Sequence, residues 1–110
     1  MVIRRGEVRW ATFPAPDAPR RPVLIISSDA FNASRIGTVL GVVMSSRLEL
    51  GEAPGNVVVS AAESGLGRDA VVVVSQVVTL DRAWVGEASG FLKAGVMGKV
   101  GRGLGLVQGF

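Results

Sequence analysis

The apolar positions of this chain fall into short valine- and isoleucine-rich runs separated by Gly, Pro, Asp and Ser, a pattern of strands rather than of helices. The runs predict strands at 7–13, 22–27, 38–44, 56–60, 70–74 and 76–80, with a shorter one at 87–91. Between them, "PAPDAPRR" reads as a Pro-rich loop, "SRLELGEAPGN" as a longer polar one and "ESGLGRD" as a tight turn. The period changes after residue 91. Leu92, Val96, Val100, Leu104 and Val107 recur at intervals of four, four, four and three, which places them on one face of a carboxy-terminal amphipathic helix. Five glycines, at 95, 98, 101, 103 and 105, lie inside that helix, and each costs up to about 1 kcal/mol relative to alanine. Packing must therefore hold it. The sum is a mainly β fold with one carboxy-terminal helix, a small barrel or sandwich.

A length of 110 residues suits one domain spanning the whole chain, and 48 % hydrophobic with 19 % charged residues is a globular composition. There is no cysteine and no histidine, which removes disulfides, the usual zinc, copper and non-haem iron sites, and the Ser-His-Asp and Cys-His catalytic devices. The nine acidic residues are scattered singly, so no metal site and no cofactor is expected. The amino terminus lacks the apolar core of a signal peptide, and no segment reaches a membrane span, which predicts a cytoplasmic protein. The net charge is +3, and ten of the twelve basic residues are arginine, the side chain suited to bidentate phosphate binding. A GC-rich coding sequence explains the same bias equally well.

One chemistry asks little of a protein without histidine or cysteine. RNA carries its own nucleophile, the 2′-hydroxyl beside each phosphate, so a protein need only align the strand, neutralise the phosphate and assist proton movement. An arginine at a rigid strand end and a neighbouring hydroxyl supply those functions. Arg21, at the entrance of "RPVLIIS", and the Ser45-Ser46 pair, at the end of "VVMSS", are of these types.

The order "RRGEVRW", "RRPVLIISSDAFN", "GTVLGVVMSS", "APGNVVV", "GLGRDAVVVVSQVVTLD" and a final amphipathic helix resembles the MazF/PemK family of toxin endoribonucleases over essentially the whole chain. The resemblance implies an SH3-like β-barrel acting as a homodimer, whose groove admits single-stranded RNA and is closed by a MazE-like antitoxin. It implies metal-independent cleavage of mRNA that leaves a 2′,3′-cyclic phosphate and a 5′-hydroxyl. By position it assigns catalysis to Arg21 and to Ser45, where the family often has threonine. A family position that often holds serine is Ala70 here. Arg20, Ser46, Arg47 and Gln76 are the expected RNA contacts, although Gln76 equally suits a structural role. Asn32 reads as a turn or cap residue, and Trp10 and Trp84, which also suit base stacking, read first as core or dimer-interface residues in a chain with only six aromatics. The rival reading is a family member that binds RNA or antitoxin without efficient cleavage.

Overall fold

The computed structural model describes residues 1–110. Six strands form one antiparallel sheet: β1 (Glu7–Ala11), β2 (Arg21–Ile25), β3 (Thr38–Ser45), β4 (Val57–Val59), β5 (Ala70–Asp81) and β6 (Val85–Phe91). Their order across the sheet is β4-β5-β3-β2-β1-β6. Three helices complete the chain, α1 (Asp29–Asn32), α2 (Ala61–Ser64) and α3 (Ala94–Gln108), with short 3-10 turns at Leu48–Glu52 and Arg82–Trp84. The outer strands β4 and β6 do not pair with each other, so the barrel-like sheet is not fully closed.

The central strands are apolar on both faces because both faces are covered. On β2, Leu24 belongs to a cluster with Val8, Val42, Val72, Leu92 and Val100, which lies under α3. Its neighbours Val23 and Ile25 turn to the opposite cluster, with Ile3, Ala11, Val39, Leu80 and Val85. This alternation fixes the register, because a one-residue slip would exchange the two faces.

The segments expected as two strands, 70–74 and 76–80, are one strand. Ser75 and Gln76 look like punctuation in a valine run, but β5 stays paired with β3 on both sides of them. The partners shift from Met44↔Val72 to Val42↔Val77, so two steps along β3 face five along β5. The surplus is a bulge that bends the strand, and Ser75 and Gln76 are its exposed residues.

Two short helices have signals that the apolar pattern does not carry. Ser28 caps α1 by accepting from the Phe31 N–H, and Ser60 with Glu63 forms a reciprocal capping box on α2. Asn32 is buried at the end of α1, where its side-chain amide donates to the Ser27 carbonyl at 3.0 Å. The carboxy-terminal helix begins two residues later than Leu92, and Val96, Val100 and Leu104 pack on the core as the spacing predicts. Val107 does not: it is exposed together with Leu106 and Phe110. Gly103 explains the helix's seat, since a Cβ there would stand 2.1 Å from the Gly55 carbonyl oxygen.

A candidate nucleic-acid interface

The strand that carries Arg21 begins at that residue, and Pro22 confines the Arg21 backbone to the extended region. The β2–β3 pairing runs to Val23↔Val43, and Arg21, the first residue of β2, and Ser45, the last of β3, each lie two residues beyond it at the same end of the sheet. On the other side of β3, Ser45 pairs with Val71, next to Ala70 at the start of β5. Three adjacent strands thus deliver their ends to one place.

There a cavity of about 440 Å³ opens, lined by Arg20, Arg21, Ser45, Ser46, Arg47 and Arg68, with Trp10, Pro19, Pro22, Met44, Leu66 and Ala70 as its less polar wall. Five of the six polar residues were expected from sequence, and none of the twelve lining residues is acidic. Gln76 is not among them. It is exposed on the β5 bulge, outside this cavity.

The four guanidiniums differ in their partners. Arg20 pairs with Glu87 on β6 and lies over the indole of Trp10, 5.4 Å from the ring centroid. The Arg20 contact holds the Glu87 carboxyl below the usual carboxylate range, with the Glu87 backbone N–H adding to it. Arg47 donates to Glu49 at 3.0 Å. Arg21 and Arg68 are exposed and have no acidic partner. The Ser45 hydroxyl oxygen accepts from the Arg47 N–H at 3.1 Å, which leaves its own proton free to donate.

Arg68 is the polar lining residue that sequence reasoning missed. It lies in a turn with no periodicity, and only the folded turn brings it to the cavity. Trp10 is half-buried and lines the cavity beneath Arg20, a position open to base stacking. Trp84 is half-buried against the second cluster, as a core residue should be.

The arrangement can bind anions, present a hydroxyl beside a free guanidinium and offer an aromatic surface. Neutral hydrogen-bond donors and two guanidiniums without an acidic partner suit phosphodiester chemistry on a substrate that brings its own nucleophile.

Comparison with known proteins gives the same direction. The chain is 44 % identical over 108 residues to the Mycobacterium tuberculosis protein named endoribonuclease MazF6, covering 94 % of this chain and 95 % of that protein. It is 27 % identical to endoribonuclease EndoA of Bacillus subtilis, covering 94 % and 92 % of the two chains. In three dimensions it matches a chain of the MazE-MazF crystal structure from Deinococcus radiodurans with a TM-score of 0.82 at 27 % identity, over 100 % and 99 % of the two chains. Residues 4–107 match the family model described as the PemK-like, MazF-like toxin of type II toxin-antitoxin systems. On this match and on 44 % identity across 94 % of its length, the chain belongs to the PemK-like, MazF-like toxin family.

Proposed function

We propose that this protein is an endoribonuclease toxin that cleaves single-stranded RNA, mRNA in the cytoplasm, and is neutralised by a MazE-like antitoxin. The relatives' names and the MazE-MazF complex of Deinococcus radiodurans support the class of activity and of partner. The observation that carries the reading onto this chain is Arg21: a guanidinium on a strand end with no acidic partner, lining one cavity together with the Ser45 hydroxyl.

In this mechanism Arg21 binds two oxygens of the scissile phosphate and neutralises the charge that grows on them. Ser45 donates its free proton to the phosphate or orients the attacking 2′-hydroxyl. The 2′-oxygen bonds to phosphorus as the bond to the 5′-oxygen breaks. The 2′-hydroxyl gives its proton to solvent, the departing 5′-oxygen takes one from the Arg21 guanidinium, which solvent reprotonates, and the products are a 2′,3′-cyclic phosphate and a 5′-hydroxyl. No step calls for a metal or a cofactor. Ser46 and Arg47 flank the reacting phosphate, and Arg20 contributes positive potential at the rim. A homodimer is the expected working form, consistent with the exposed Leu106, Val107 and Phe110 at the end of α3.

The test is cleavage of a long unstructured RNA by the purified protein in EDTA, mapped by primer extension with the product ends determined. Sequence-specific cuts bearing cyclic phosphates are expected. Arg21→Ala should abolish them while leaving the far-UV spectrum and melting temperature unchanged. Intact RNA with both the native protein and a Ser45→Thr variant overturns the reading. Tight RNA binding without cutting would establish the rival reading, a binding protein of this family.

A further inference from the structure

Charge balance in the cavity leaves more cation than one phosphodiester can use. Of its four arginines, Arg20 and Arg47 already face Glu87 and Glu49, so two unpaired guanidiniums remain, Arg21 and Arg68. A single phosphodiester carries one negative charge, which Arg21 matches. Arg68 stands across β3 from Arg21, in the turn that leads into β5.

That turn is fixed to the body of the fold. Gly65 ends α2 in the left-handed region at φ 72° and Gly67 follows at φ 81°. A Cβ on Gly65 would stand 1.9 Å from the Ser89 carbonyl oxygen, and one on Gly90 2.3 Å from the Ser64 carbonyl oxygen, so the turn and β6 meet backbone to backbone. The Ser89 hydroxyl adds a bond to the Ser64 carbonyl at 2.8 Å. The acid next to Arg68 is taken elsewhere: Asp69 accepts from the Ala61 N–H at 2.9 Å, at the start of α2. Arg68 is therefore a guanidinium on an anchored turn, at the cavity wall, with its neighbouring carboxylate occupied.

We propose that Arg68 forms a second phosphate subsite, which holds the phosphodiester adjacent in the RNA strand to the one that Arg21 addresses. The proposal rests on the endoribonuclease reading. It makes Arg68 a positioning residue: by fixing the neighbouring phosphate it sets the strand's register, and so determines which phosphate meets Arg21 and Ser45. Bidentate pairing with a phosphate suits the planar guanidinium, and an ammonium in its place keeps the charge but loses the orientation.

The experiment measures binding of a short oligoribonucleotide spanning a mapped cleavage site, with a 2′-deoxy sugar at the scissile position to prevent reaction. It is compared with versions in which a neutral methylphosphonate replaces each flanking phosphate in turn. Arg68→Ala should weaken binding of the parent by about tenfold. At one flanking position the methylphosphonate should weaken the native protein by a similar factor and make native and Arg68→Ala bind alike. Arg68→Lys should retain part of the affinity yet cleave with less defined register. Equal binding of the parent by native and Arg68→Ala overturns the proposal, as does a loss that no methylphosphonate removes. Cleavage of the unmodified RNA by the native protein is scored separately. Its presence alongside an inert Arg68→Ala substitution refutes only the subsite, whereas its absence refutes the activity beneath it.

Discussion

Glu87 is a carboxylate that occupies one of the cavity's four guanidiniums. It pairs with Arg20, whose guanidinium also stacks on Trp10, so an incoming RNA must compete with an internal anion for that arginine. Glu87→Gln removes the competitor and keeps the side chain's shape, and it should tighten RNA binding several-fold. The pH dependence has a definite sign. Because the Arg20 contact lowers the carboxyl's folded-state value, the pair's contribution to stability is complete above the ordinary carboxylate range and is lost as pH falls through that lowered value. From about pH 5.5 to about pH 8 Glu87 stays ionised, so the affinity difference between native protein and variant should be flat across that interval. A difference that disappears at the acid end would place Glu87's titration in the wrong range. Both partners are largely exposed, so the substitution should scarcely move the melting temperature.

At the scale of elements, α3 shows two kinds of glycine that look identical in sequence. Gly103 is buried against Gly55, and its missing Cβ is what lets helix and turn touch. Gly103→Ala should therefore destabilise by about 1–3 kcal/mol through overpacking. Gly98 is exposed, and a Cβ there would meet only an Arg102 guanidinium nitrogen at 3.7 Å. Gly98→Ala should stabilise by about 0.5–1 kcal/mol, a rise of about 2–4 °C in thermal melting. The strands were legible because valine runs buried on both faces need no partner to be recognised. What was not legible depended on contacts between distant segments. Ser75 and Gln76 read as a break because their effect, a bulge, exists only against β3. Arg21 and Ser45 were found from strand-end chemistry and a family pattern, whereas Arg68 sits on a turn fixed by the meeting of Ser64 and Gly65 with Ser89 and Gly90, where the bonded Ser64 and Ser89 are 25 residues apart in the chain. The caps at Ser28 and Ser60 were readable, the second as Ser-x-x-Glu, but an apolar periodicity does not register them.

For the whole molecule, the net charge of +3 understates and the count of arginines overstates what an RNA strand meets. Arg9 is buried and bonded to Glu7, Val2 and Gly86, and Arg82 donates to the Asn32 and Met1 carbonyls, so both serve the fold. Of the other eight arginines four line the cavity, and two of these are matched by acids. Each phosphate neutralised on a single strand contributes about −0.7 to the slope of log affinity against log salt concentration. Two unpaired guanidiniums per cavity thus predict a slope near −1.4 for a short oligoribonucleotide, where four equivalent ones would predict about −2.8. The two substitutions should move that slope in opposite directions: Arg68→Ala toward about −0.7, and Glu87→Gln toward about −2.1 as Arg20 becomes available. Affinity titrations at several salt concentrations on the uncleavable oligomer measure all three. A native slope near −2.8 that neither substitution changes would mean that the internal carboxylates do not hold Arg20 and Arg47 once RNA is bound, and that the cavity works as an undivided basic surface.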